Sequence, residues 1–163
     1  MGVILSVLFY LRSRRFTKPC YLRTSMRWFD GSEAPHSDLQ LTFRGRQVPR
    51  FTITQLLFWN AGNQAIRSAD FARASQFRIE FPSTLQLFDA KITALTAPET
   101  AVALGEPHES PEPSTRTIPI SFDYFDRGDG FILQLIHDGD SHRGIRFAGK
   151  LPVSHPLATL GDR

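Results

Sequence analysis

The sequence predicts an all-β fold: a two-sheet antiparallel β-sandwich of immunoglobulin-like character with about seven strands, preceded by a short N-terminal apolar helix. Three observations carry that prediction. Short stretches rich in Thr, Ile, Phe and Leu recur from Leu39 to Leu151 with turn-forming residues between them. Their period is two rather than 3.6, as in Leu39-Gln-Leu-Thr-Phe43. A chain of 163 residues with 41% hydrophobic and 21% charged side chains suits one globular domain, which excludes wholesale disorder, collagen-like repeats and coiled coils. The single Cys excludes an intrachain disulfide framework or a clustered Cys zinc site.

Residues 1–16 read as an anchor. Val3, Ile4, Leu5, Val7, Leu8, Phe9, Tyr10 and Leu11 form an apolar run, and Arg12, Arg14, Arg15 and Lys18 follow it at once. A secretory signal places positive charge before the apolar run and ends on a small-residue cleavage site, so this order argues against cleavage. It matches the cytoplasmic flank of a membrane span, with arginines among lipid phosphates. A helix over residues 1–11 covers roughly 16 Å, about half of a ~30 Å hydrocarbon core. The run therefore reads as a truncated membrane anchor, an interfacial helix, or an apolar helix packed on the domain or a partner chain. Residues 17–38 read as a juxtamembrane segment, 39–153 as the β-sandwich domain and 154–163 as a tail.

Charge separates the same parts. The chain has 19 Lys and Arg against 16 Asp and Glu, yet six of the basic residues precede Asp30, the first acid. The remainder holds 13 basic (19 less those six) against 16 acidic side chains. A body so balanced has no field to attract a polyanion, and no nucleic-acid partner is expected.

Within the body, Leu39–Phe43 breaks at Arg44-Gly45-Arg46-Gln47, a hairpin signal. The next strand runs from Val48 to Asn60. Phe51, Ile53, Leu57 and Trp59 share one face of it and Thr52, Thr54, Leu56 and Phe58 the other; apolar character on both predicts a central strand. Asn60-Ala-Gly62-Asn63 turns the chain, since Gly62 can adopt positive φ and the Asn side chains can bond local backbone. Residues 64–75 fit neither period, with one helical turn expected at Asp70–Ala74. Strands follow at Phe77–Phe81, Leu85–Leu95, Thr117–Phe125, Phe131–His137 and Gly144–Leu151. Pro98–Ser114, dense in Pro and Glu, reads as one long exposed loop.

Two loops carry enough Asp and His to raise the question of a metal. Asp123, Asp126 and Asp129 are oxygen donors suited to Ca²⁺, and His137, Asp138, Asp140 and His142 have the composition of a transition-metal set. Neither has the spacing of a known ligand loop, and Asp-Gly between apolar strands is a hairpin turn first. No G-x-S-x-G, H-E-x-x-H, P-loop or G-x-G-x-x-G occurs. Cys20 lies beside Pro19 in the basic segment, away from any foldable site, as an inert thiol or a juxtamembrane lipidation site. His36, His108 and His155 neighbour prolines in loop-like stretches. No catalytic residue, cofactor, metal or small-molecule substrate is expected, hence no enzyme. Phe58, Trp59 and Phe71 are expected in the core.

The string Phe58-Trp59-Asn60-Ala61-Gly62-Asn63-Gln64-Ala65-Ile66, followed by Asp70 and by Phe77–Phe81, resembles a family of uncharacterised bacterial membrane-anchored proteins. In these a transmembrane helix and a short basic flank precede a β-rich domain with a Phe-Trp-Asn-x-Gly turn. Phe122-Asp123-Tyr124-Phe125-Asp126 and Asp129-Gly130 are similar to a second motif of the same family. The likeness covers about Lys18 to Leu151. Two departures are the short apolar run after Met1 and Ala74–Gln76 in place of a Pro-Leu before the third strand. The resemblance implies an architecture and an inner-membrane location without a reaction. Asn60, Gly62 and Asp70 are expected to satisfy turn backbone groups, while Trp59 and Ile66 close the core.

These readings give a membrane-tethered β-sandwich binding module with an unidentified protein partner, on the cytoplasmic side of the inner membrane. The alternatives are a metal-dependent enzyme or Ca²⁺-binding module using the Asp/His loops, and a soluble, cytoplasmic oligomerising protein.

Overall fold

A computed structural model describes residues 15–31, 40–151 and 158–162, the last of these by backbone alone. Helix among them is confined to two single 3₁₀ turns, Ser68–Asp70 and Pro98–Thr100, and strand predominates. Strand β1 (Pro19–Asp30) is followed by β2 (Leu41–Phe43) and β3 (Arg46–Val48), a hairpin closed by Arg44 and Gly45 at φ 49° and 78°. Positive φ at both central residues is the turn geometry that matches strand twist. Pro49, which has no N–H to give a ladder, precedes β4 (Arg50–Asn60). Then come β5 (Ile66–Arg67), β6 (Arg78–Pro82), β7 (Leu87–Leu95), β8 (Ala103–Leu104), β9 (His108–Glu109) and β10 (Thr115–Ser121). The last are β11 (Tyr124–Phe125), β12 (Gly130–His137), β13 (Arg146–Ala148) and β14 (Ala158–Asp162).

Two principal sheets result. The larger runs β14-β1-β4-β12-β7, antiparallel except for the parallel pair β14–β1. The second runs β13-β6-β10-β8, with β9 also on β10, all antiparallel. One buried cluster draws on both: Leu56, Phe58, Phe131, Leu133 and Leu135 from the larger sheet, Ile79, Phe81, Ile118 and Phe147 from the second. The Phe58 ring is its centre, with centroids 4.8 Å from Phe77, 5.3 Å from Phe125 and 5.6 Å from Phe131. Burial of each such Phe contributes about 1.5–3 kcal/mol.

The expected central strand is found: β4 lies between β1 and β12. Thr52, Thr54, Leu56, Phe58 and Asn60 point to the buried side, and Phe51, Ile53, Leu57 and Trp59 are half-buried on the reverse. Trp59 is thus not a core residue, whereas Phe58, Ile66 and Phe71 are. The reason is parity: Asn60 must face inward to serve its turn, which sends its neighbour outward.

Several boundaries differ from expectation. The segment read as juxtamembrane contains β1, whose backbone pairs with β4 from Pro19↔Asn60 to Asp30↔Arg50. Cys20 is therefore buried in the domain, 1% exposed. The expected tail contains β14, alongside β1. The helical turn falls at Ser68–Asp70, and the long acidic loop holds β8 and β9, which bond back to β10. Neither Asp-Gly signal makes a hairpin. β11 leaves the 126–130 turn to pair with β5 while β12 pairs with β4 and β7; β13, after the 138–145 loop, pairs with β6 in the other sheet. Those turns carry the chain between sheets. The expected N-terminal helix falls outside the described residues.

Candidate functional site

The Asn60 turn is built around one side chain. Asn60 is fully buried; its Nδ2 donates to the carbonyls of Gln64 (2.8 Å) and Phe125 (3.0 Å), and its Oδ1 accepts the Gly62 N–H (2.9 Å). Its own backbone bonds Asp129 and Gly128, so every polar group it has is occupied by backbone. Gly62 does not take the positive φ expected of it; it is required by close approach, packing under the incoming chain, where a Cβ would run into the Phe16 carbonyl oxygen and lie 2.6 Å from the Lys18 nitrogen. Asp70 accepts the Arg67 N–H at 2.7 Å. The arrangement commits the Asn60 side chain wholly to the turn.

The Asp and His residues of the two loops do not converge. Asp129 accepts from the Asp126 N–H and from the Thr96 hydroxyl, and Asp123 is exposed. Asp138 accepts the Gln86 N–H at 2.8 Å, and Asp140 points to Arg50. Among the described residues no three His, Cys, Asp or Glu stand close enough to hold a metal ion. His108 is exposed, its ring bonded to the Thr117 hydroxyl; His36 and His155 lie outside the described residues.

What the fold does build is a cleft of about 990 Å³ beside the loop that follows β12. Arg23 and Arg27 come from β1, Arg50 from β4, Thr84 and Leu85 from the β6–β7 connection, and Asp138 to Gly144 from the loop. Its charges interlock. Asp30, on β1, accepts from Arg50 Nε at 3.0 Å and Arg27 Nη1 at 3.2 Å. Asp140 reaches Arg50 Nη1 at 2.8 Å and Arg27 Nη2 at 3.8 Å. Arg23 donates to the Ile145 carbonyl.

A chain of polar side chains leads from this cleft to the core. His137 is fully buried, and its Nδ1 accepts the Gly139 N–H at 3.0 Å. A neutral imidazole then carries its proton on Nε2, which donates to Thr54 Oγ1 at 2.7 Å. The Thr54 hydroxyl is 2.7 Å from Ser25 Oγ, and Ser25 Oγ is 3.2 Å from His142 Nδ1. With Nε2 as the first donor, each hydroxyl donates onward and His142 Nδ1 accepts last. Burial lowers the His137 pKa to about 4, against a smaller upward pull from Asp138. Thr52 donates to the Gly139 carbonyl at 2.6 Å, so both backbone groups of Gly139 are fixed to the sheet. This pins the loop that carries Asp140 and His142.

Of the expected basic flank, Arg15 and Lys18 are exposed beside Phe16, which is 50% exposed, while Arg12 and Arg14 lie outside the described residues. No helix among the described residues is long and apolar enough to cross a membrane. Sequence reasoning missed Arg23, Ser25, Arg27 and Arg50. The signal available was the alternation Arg23-x-Ser25-x-Arg27, which sets three polar groups on one face of a strand. Compared with known proteins, the chain matches no family model, no curated protein and no solved structure.

Proposed function

We propose that the chain is a non-catalytic binding module, a β-sandwich of immunoglobulin-like character held at a membrane by the residues before Arg15. The observation that carries the tether is how the entering chain is fastened. The Phe16 N–H donates to Asn63 Oδ1 at 2.9 Å, the Phe16 carbonyl accepts from the Asn63 and Gln64 N–H groups, and the Lys18 carbonyl accepts from Ala61. The described chain thus enters the domain at a fixed point, Phe16 to Lys18, where exposed Arg15, Phe16 and Lys18 suit lipid phosphates and the interfacial zone. The likeness of Phe58–Ile66 to the turn of membrane-anchored bacterial proteins points the same way. Two principal sheets feeding one core support the sandwich, and the pinned, charged cleft supports binding.

The test is fractionation of bacterial cells producing the full chain or a form lacking residues 1–14. The full chain is expected in the inner membrane, released by detergent and not by high salt, with the shortened form soluble. Recovery of the full chain in the soluble fraction would overturn the tether.

Self-association is a second reading, favoured by Met26 and Trp28, 63% and 68% exposed with Leu22 on one face of β1. It requires the form lacking residues 1–14 to sediment as a dimer that Trp28→Ser dissolves.

A further inference from the structure

We propose that the cleft beside the β12–β13 loop receives a carboxylate of an acidic peptide segment on a protein partner, and that Asp140 holds the place of that carboxylate when the partner is absent. The proposal deepens the reading of the chain as a binding module and rests on it.

Its geometry begins with strand parity. Arg23, Ser25 and Arg27 alternate along β1 and so share a face, which sets two guanidinium groups and a hydroxyl along one wall. The register Asp30↔Arg50 brings a third guanidinium from β4 to the end of that wall. Arg143 joins from the loop. Guanidinium is the group whose planar donor fork fits a carboxylate, and partly buried forks bind it more firmly than an exposed ammonium does.

Asp140 already displays the mode of binding. One of its carboxylate oxygens lies 2.8 Å from Arg50 and 3.8 Å from Arg27, yet its side chain is 65% exposed. By contrast Asp30, which engages the same two arginines, has a side chain 7% exposed. The two acids have different standing: Asp30 is a fixed part of the wall that orients the arginines, whereas Asp140 sits on them from the solvent side. An exposed ion pair of this kind is weakly held, so an incoming carboxylate can exchange for it. The loop beneath does not need Asp140, since Thr52 and His137 hold Gly139 and Asp138 is bonded to Gln86.

Charge chooses the class of partner. Arg23, Arg27, Arg50 and Arg143 are set against Asp138 and Asp140 on the lining and Asp30 behind it, an excess of one positive charge that becomes two when Asp140 gives way. That is too little to hold a polyphosphate, whose binding scales with the number of phosphates neutralised. It suits one or two carboxylates, and a cleft of about 990 Å³ is large enough for a few peptide residues.

The experiment uses the full chain in detergent micelles and fluorescence anisotropy of a labelled hexa-aspartate peptide, with hexa-asparagine, a phosphoserine hexapeptide and a short single-stranded oligonucleotide as competitors. Hexa-aspartate is expected to bind and hexa-asparagine not to compete. Asp140→Ala, at an exposed position, is expected to tighten binding about threefold. Arg50→Gln is expected to weaken it about tenfold or more, with thermal unfolding followed to confirm that the variant folds. Equal or weaker binding by Asp140→Ala would overturn the proposal, as would failure of hexa-aspartate to bind. Stronger competition by the phosphopeptide or oligonucleotide would assign the cleft to phosphate instead. Each of these failures leaves the fractionation result untouched, so the site and the tether fail separately.

Discussion

Nε2 of His137 donates to the hydroxyl of Thr54 over 2.7 Å, from a ring that no solvent reaches. A charged ring there would place a second proton on Nδ1, against the Gly139 N–H that Nδ1 now accepts. Burial and bonding therefore favour the neutral form, and the pKa falls to about 4 from an ordinary 6.5.

Stability should consequently rise with pH across that window. As pH drops below 6.5 the unfolded chain protonates its histidine first, and the advantage of the neutral buried ring is lost progressively until about pH 4. The ceiling is about 3 kcal/mol, from a shift of this size at about 1.4 kcal/mol per unit. Urea unfolding at pH 7.5, 6, 5 and 4.5 should find the gap between wild type and His137→Gln narrowing as the solution is acidified. A gap constant across the range would show that His137 does not titrate between the two states.

At the Asn60 turn, Asn60→Ala would leave the carbonyls of Gln64 and Phe125 and the Gly62 N–H without their side-chain partner in a buried place. The expected loss is about 3 kcal/mol, since each abandoned buried group costs roughly 1–3 kcal/mol and part is recovered by water. Asn60→Asp should cost at least as much at neutral pH, because a carboxylate oxygen would face the two carbonyls that Nδ2 now serves. Gly62→Ala acts differently, by driving the Phe16–Lys18 segment off the turn. It should expose the bond after Arg15 to trypsin while costing the core little, the Lys18–Pro19 bond being resistant to trypsin in either form. Denaturant midpoints and a timed digest separate these outcomes; an Asn60→Ala protein as stable as wild type would mean that the turn is held by backbone alone.

The parts legible in sequence were those fixed by near neighbours. Alternation in β4, the Arg44-Gly45 hairpin and the Asn60–Gly62 turn depend on residues within a few positions. The Asp-Gly turns illustrate the limit: Asp129-Gly130 and Asp138-Gly139 do turn the chain, but which strand meets which is decided by the core, and β12 takes β4 and β7 as partners. Strand β1 was illegible because its pattern is inverted. Its outer face carries exposed Met26 and Trp28 while its inner face carries Arg23, Ser25 and Arg27. A reader of charge assigns those arginines to a basic flank. The cleft could not be read at all, since Ser25 and His142 are 117 residues apart.

Glu80, on the face of β6 turned away from the aromatic core, is 2% exposed. Arg78 gives its Oε1 bonds of 2.9 and 2.6 Å, and Arg146 gives its Oε2 bonds of 2.9 and 2.8 Å. The same contacts raise the pKa of Arg146, first through the hydrogen bond to Glu80 and then through its charge. The partners are unequal in exposure: the Arg78 and Arg146 side chains are 26% and 56% exposed, the Glu80 side chain 3%. Losing the acid lets both guanidinium groups turn to water, whereas losing both arginines strands a carboxylate in place. Removing one member of a buried pair is costly because of the charge left behind, and here only the carboxylate would be left in a buried place. Glu80→Met should therefore cost only about 1 kcal/mol, and Arg78→Gln with Arg146→Gln about 3 kcal/mol or more. Chemical denaturation of the two proteins at pH 7 decides the matter. If Glu80→Met were the more damaging, the carboxylate would be contributing net stability rather than being tolerated through its neighbours.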